Sequence, residues 1–65
     1  MNKESNIVHE SANNSHYVYK ISIGHYEVRK NGLTHAIVIG NFDNPDEDSD
    51  QLERAIEMCD YEANK

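Results

Sequence analysis

The sequence has no tryptophan and contains one cysteine, one proline and three glycines in 65 residues. The single cysteine, Cys59, excludes a disulfide within the chain and favours a reducing compartment, so we expect a cytoplasmic protein. No apolar run approaches the roughly 18 residues needed to span a bilayer. Residues 1–15 are polar and lack the apolar stretch of a signal peptide, so we expect neither export nor membrane insertion.

The residues of common catalytic and metal sites are also sparse or wrongly spaced. The four histidines and the cysteine match no zinc-binding spacing. A calcium loop beginning at Asp43 would need glycine at its sixth position and glutamate at its twelfth, where Asp48 and Arg54 stand. There is no glycine-rich phosphate loop. We therefore expect no cofactor, no bound metal ion and no enzymatic activity.

Negative charge is abundant and is concentrated in the C-terminal part of the chain. The net charge is −6, and residues 43–62 hold nine Asp and Glu against Arg54, a balance of −8. Residues 16–35 hold three Lys and Arg against Glu27, a balance of +2, together with three histidines. Such asymmetry bears on the choice of partners and not on the fold.

Hydropathy patterns predict an α+β fold with the element order β-β-β-α. We interpret residues 1–15, which include His9, as a flexible polar arm and residues 16–65 as one small domain. The segment 16–23 alternates with period two, which is typical of a strand. Tyr17, Tyr19, Ile21 and Ile23 fall on one side of it, where we expect the tyrosines to cap the core. His16, Val18, Lys20 and Ser22 fall on the other side.

A β-hairpin is predicted at Asn31-Gly32, because both residues tolerate the positive φ of a two-residue turn. The strands 25–30 and 33–39 would then pair with Lys30 opposite Leu33 and Tyr26 opposite Ile37. Paired residues share a face. The predicted core face is therefore Tyr26, Val28, Leu33, Ile37 and Ile39, and the exposed face is His25, Glu27, Arg29, Thr34, Ala36 and Val38.

An acidic helix is predicted after Asn44, which is a good N-cap, with Pro45 at the first helical position and Glu47 completing a capping box. Ser49 is an alternative start. Helical spacing predicts an apolar stripe of Leu52, Ala55, Ile56, Cys59 and Ala63 that packs on the sheet. The predicted fold is thus a three-stranded antiparallel sheet covered by one C-terminal helix.

The outward face of this helix is our candidate partner-binding surface, comprising Asp46, Asp50, Glu53, Glu57, Asp60 and Tyr61. Carboxylates one turn apart recur about every 5–6 Å, which resembles the repeat of phosphates along nucleic acid. Tyr61 would serve as an aromatic anchor. The alternatives are a solvated face that keeps the protein soluble and a tyrosine lying in solvent near the helix end.

We therefore expect a non-enzymatic interaction or inhibitor protein, of the kind encoded by phages and mobile elements. Its partner would be a basic protein, such as a nucleic-acid-binding protein whose groove accepts the acidic helix as a mimic. A homodimer formed through an open sheet edge, either strand 16–23 or strand 33–39, is a further hypothesis. We expect no membrane partner.

A second function is indicated by a resemblance in layout. Tyr26-x-Val28-x-Lys30-Asn31-Gly32, followed by Ile39-Gly40-x-Phe42-Asp43 and an alanine-bearing helix, resembles AP2-type and integrase amino-terminal DNA-binding domains. That resemblance implies a three-stranded sheet whose exposed face binds DNA, here through Lys20, His25 and Arg29. The chain departs from those families in lacking tryptophan and in having few arginines on that face.

Overall fold

The computed structural model describes residues 6–65 and has an α+β architecture. Four antiparallel strands form one sheet in the order β1-β2-β3-β4, and a single C-terminal helix covers one of its faces. The strands are β1 (Ile7–Glu10), β2 (His16–Ser22), β3 (His25–Lys30) and β4 (Ile37–Asp43). A 3₁₀ turn (Pro45–Glu47) leads into helix α1 (Asp48–Ala63).

The predicted fold class is confirmed, but the predicted number of strands is wrong. The additional strand, β1, lies within the segment that we interpreted as a flexible arm, and it pairs with β2. Strand β2 is consequently an interior strand and offers no open edge for a dimer, because the sheet edges belong to β1 and β4. Residues 1–5 of the predicted arm lie outside the described residues.

The faces of β2 are the reverse of those predicted. Val18 is fully buried and His16 is 6% exposed, whereas Tyr17 and Tyr19 are only half-buried on the face that the helix leaves open. The cause is the pairing of Val18 with Val28, since directly paired residues share a face. Branched valines from two adjacent strands thus form the centre of the core.

The predicted two-residue turn at Asn31-Gly32 is wrong. Residues 31–36 form a longer loop, and Lys30 lies opposite Ile37 instead of Leu33. Leu33 is fully exposed and Ile37 is half-exposed, so neither belongs to the core.

Two features of the packing favour the longer loop. It places Phe42 opposite Tyr26, where Phe42 packs against the buried core, whereas the shorter turn would leave Phe42 beyond the end of the paired strands. Asn31 is also engaged elsewhere, because its backbone N–H donates to the Ser15 carbonyl oxygen and its side chain donates to that of Asn14.

The predicted helix start at Asn44-Pro45 forms a 3₁₀ turn, whereas the α-helix itself begins at Asp48. The predicted capping box is absent, because the Asn44 backbone N–H donates to the Gly24 carbonyl oxygen and not to Glu47. The Asn44 side chain accepts a hydrogen bond from the Asp46 backbone N–H at 3.1 Å and donates to Glu47 Oε1 at 3.3 Å. Within α1, Gln51, Ala55 and Cys59 are buried. Within residues 6–65, no helix combines the length and the apolar character required to cross a bilayer.

Hydrogen bonds to one carboxylate, that of Asp48, connect the start of α1 to the β2–β3 turn. Asp48 Oδ1 accepts hydrogen bonds from the Gly24 backbone N–H at 2.6 Å and from the Tyr26 hydroxyl at 2.8 Å. These bonds favour the ionised carboxylate and lower the pKa of Asp48. Burial of the Tyr26 ring, together with its bond to Asp48, raises the pKa of that phenol.

We predict that Gly24→Ala destabilises the fold by at least about 1–2 kcal/mol. Gly24 adopts a φ of +72°, and an added methyl group would overlap the Asn44 carbonyl oxygen and approach the Pro45 Cα to 2.5 Å. Urea unfolding of the two proteins measures the difference. Ile23→Ala, at an exposed position of the same turn, is the control and should change stability much less. Equal effects of the two substitutions would contradict the assigned turn.

We predict that the stabilisation from Asp48 depends on pH. Because the folded pKa of Asp48 lies below its usual value of 3.8, the contribution is fully present above about pH 4 and is lost as the pH falls through the folded pKa. Asp48→Asn keeps an acceptor oxygen but removes the charge. The variant should melt at a lower temperature than the wild type at pH 7, and this difference should narrow below pH 4. Asp43→Asn controls for the loss of one negative charge.

Candidate functional site

The predicted partner-binding residues on and before α1 differ in their exposure and in their contacts with the rest of the protein. Glu53 and Glu57 are exposed, and Tyr61 is 66% exposed. Asp46 is also exposed but lies in the 3₁₀ turn before α1. The predicted exposure of these four residues is confirmed, and their role in partner binding stays a prediction.

Two other predicted members of the surface have partners within the protein. Asp50 pairs with Arg54 one turn along the helix, with Oδ2 2.9 Å from Arg54 Nε. Asp60 lies at the side of the helix, where its Oδ1 is 2.9 Å from His9 Nε2 on β1. Asp60 thus belongs to the contact between β1 and α1, and the outward acidic row is shorter than predicted.

A shallow and widely open depression of about 630 Å³ lies on this exposed part of α1. Half-buried Leu52 and Ile56 contribute its apolar surface, and carboxylates stand beside them. We call it the acidic groove; its lining residues are Ser49, Asp50, Leu52, Glu53, Ile56 and Glu57. The apolar pair was expected in the centre of the helix–sheet contact. Ala55 and Cys59 occupy that centre, and Gln51 is also buried, whereas Leu52 and Ile56 are only partly buried at the edge of the core.

The sheet face opposite α1 carries Arg29 in a compact polar cluster. Its guanidinium lies 4.0 Å from the centre of the Tyr19 ring and donates to Glu27 Oε1 through Nη2 at 2.7 Å and Nε at 2.9 Å. Burial disfavours the charge, but hydrogen bonds to Glu27 and Tyr17 outweigh it and raise the pKa of Arg29. The charge of this arginine is therefore matched locally by Glu27.

The three residues of the predicted nucleic-acid surface do not form one patch. Lys20 pairs with Tyr26 on the face that carries the helix, and its ammonium lies 5.9 Å from the centre of the Tyr26 ring. His25 lies on the opposite face with Arg29, and its Nε2 is 2.8 Å from Asn41 Oδ1. Only two of the three residues could therefore contact the same ligand surface.

A third cluster joins β1 to the end of α1. One ligand atom from each of His9, Cys59 and Asp60 lies within 4.8 Å of the others. The Cys59 side chain is fully buried, and this burial raises the pKa of its thiol. This cluster is not evident from the sequence, in which His9 falls within the predicted arm. The short apolar pair Ile7-Val8 beside His9 was the signal for a strand there.

Comparisons of the chain with protein-family models, with curated proteins and with solved structures found no match.

Proposed function

We propose that this protein is a non-catalytic interaction protein that binds a basic partner surface through the acidic groove of α1. The observation that carries the proposal is the apolar pair Leu52 and Ile56, which lies beside Asp50, Glu53 and Glu57 on the exposed side of the helix. Apolar anchors surrounded by polar groups are the usual arrangement at the centre of a protein interface.

The two kinds of residue in the groove would have separate roles. Leu52 and Ile56 offer apolar surface, whose removal from water supplies affinity. Glu53 and Glu57 provide a negative potential, which accelerates encounter with a basic partner and disfavours acidic ones. The chemistry of the partner follows from this pairing: an apolar side chain flanked by Lys or Arg.

The groove is supported by a rigid base. Ala55 and Cys59 of α1 are fully buried against the sheet, beside Val18 and Val28. A helix fixed in this way loses little conformational freedom when a partner binds, which favours affinity. The protein therefore presents the helix backbone that carries these carboxylates in a geometry set before binding.

Nucleic-acid mimicry is our specific form of this proposal. Glu53 and Glu57 lie about 6 Å apart along the helix at 1.5 Å per residue. Asp50, whose carboxylate is paired with Arg54, extends the row by about one turn. A row of this kind could enter the basic groove of a nucleic-acid-binding protein and displace its counterions, as a phosphate backbone does. Inhibitors from phages and mobile elements commonly have this character, and we propose such an origin and a cytoplasmic location.

The alternative function is nucleic-acid binding through the open sheet face. Tyr17, Tyr19 and Arg29 lie together there, and aromatic rings beside a guanidinium form a platform on which bases stack. The two hydrogen bonds that Arg29 donates to Glu27 Oε1 weigh against this function, because the pairing leaves less positive charge for phosphates.

We predict that the double variant Glu53→Lys/Glu57→Lys loses the partner while keeping its fold, because attraction to a basic surface becomes repulsion. The control variant Glu10→Lys/Asp43→Lys changes the net charge equally at other exposed positions and should retain binding. Tagged proteins are incubated with host lysate at low and high salt, and retained proteins are identified by mass spectrometry. We expect the wild type to retain a basic partner at low salt and to lose it at high salt. The control variant should retain the same partner at low salt, and the groove variant should not. Equal retention by both variants would contradict the proposal.

We predict that the wild type has no measurable affinity for short single- or double-stranded oligonucleotides at physiological salt, by fluorescence anisotropy. If binding is observed, Arg29→Ala and exposed Lys30→Ala distinguish its site. If the affinity depends on salt and is lowered by Arg29→Ala but not by Lys30→Ala, the result would support the sheet-face function in place of the acidic groove.

A further inference from the structure

The contact between β1 and α1 brings together three side chains whose chemistry suits a transition-metal ion. His9 comes from the strand near one end of the chain, and Cys59 and Asp60 are consecutive residues near the C-terminal end of the helix. Their imidazole nitrogen, sulfur and carboxylate oxygen all lie within 4.8 Å of one another. His9 and Asp60 are separated by 51 residues in the sequence, so the cluster does not match a short metal-binding motif.

We propose that His9, Cys59 and Asp60 bind one divalent transition-metal ion of the zinc class. Thiolate, imidazole and carboxylate are the three ligand types that zinc takes in proteins. The hard ions calcium and magnesium prefer sites made of oxygen alone, so the sulfur and nitrogen ligands favour zinc and its chemical relatives over them.

The distances are compatible with coordination after small side-chain rotations. Zinc lies about 2.0–2.3 Å from such ligands, so ligands arranged tetrahedrally are separated from one another by roughly 3.3–3.8 Å. His9 Nε2 and Asp60 Oδ1 are 2.9 Å apart and share a hydrogen bond. On metal binding, the proton that Nε2 shares with Asp60 moves to Nδ1 of the ring or to solvent, and Nε2 and Oδ1 then bind the ion in place of that hydrogen bond. The Cys59 thiol releases its proton to solvent as sulfur becomes a ligand.

The site is accessible from one side. The side chains of His9 and Asp60 are 27% and 48% exposed, whereas Cys59 forms the buried wall. A cavity of about 430 Å³ borders the cluster and is lined in part by Asn13, Ala63 and Asn64. Three protein ligands beside such a cavity leave room for water or a further ligand at a fourth position, as in open zinc sites.

The ion would join the first described strand to the end of the helix. Small domains often depend on such a link, because their cores contribute little stability. A ligand that binds only the folded state stabilises it in proportion to the logarithm of its concentration over its dissociation constant. This role is independent of the acidic groove, whose lining contains none of the three residues.

The test is a cobalt(II) titration of the full chain under reducing conditions. We expect one equivalent to bind and to give the near-ultraviolet charge-transfer absorption of a cobalt–thiolate bond. Cys59→Ala should abolish this absorption, and His9→Gln and Asp60→Asn should each weaken binding by about 10-fold or more. His25→Gln and Asp43→Asn remove the same groups elsewhere and should bind as the wild type does.

Because His9 and Asp60 are half-exposed, substitutions there should leave the fold intact. They therefore test the proposal even if Cys59→Ala fails to fold. At the same zinc concentration, the melting temperature of the wild type and of both control variants should rise clearly more than that of His9→Gln. Absence of the thiolate band with excess cobalt would overturn the proposal and leave the cluster as a hydrogen-bonded contact. Equal affinity of the wild type, His9→Gln and Asp60→Asn would overturn it as well.

Discussion

The packing of Ala55 and Cys59 of α1 against Val18 and Val28 determines most of this small structure. These four side chains are fully buried, and with Tyr26 they form the described core. Because the core is so small, the rotation of α1 about its axis decides which of its other residues reach solvent. The same contact leaves the opposite sheet face uncovered, so the positions of both candidate binding surfaces follow from it.

Local signals in the sequence were sufficient where short-range chemistry decides the structure. The Asn44-Pro45 helix start, the outward position of Tyr61 and the strand character of 16–22 and 25–30 all depend on neighbouring residues. Local signals failed where long-range pairing decides. Asn-Gly favours a tight turn, but the burial of Phe42 beside the core and the bonds from Asn31 to the β1–β2 connection favour the longer loop.

The candidate sites divide in the same way. Helical periodicity correctly identified Glu53, Glu57 and Tyr61 as outward residues. It could not reveal that buried Gln51 occupies the helix–sheet contact, since a polar residue is normally assigned to the surface. The proximity of His9 to Asp60 was also beyond local reasoning, because it depends on the pairing of β1 with β2.

The acidic residues of α1 serve different purposes along its length. Asp48, at the N-terminal end, is favoured by the helix dipole and fastens the β2–β3 turn. Asp60 lies in the last turns, where the dipole disfavours a carboxylate and no basic residue of the last turn compensates it. Asp60 instead shares a hydrogen bond with His9 on another element. A residue that opposes a local preference marks a position with a compensating tertiary role. At Asp60 that role is contact with β1, which a positive imidazolium or a metal cation would strengthen. Glu53 and Glu57, between the two ends, remain exposed and available to a partner.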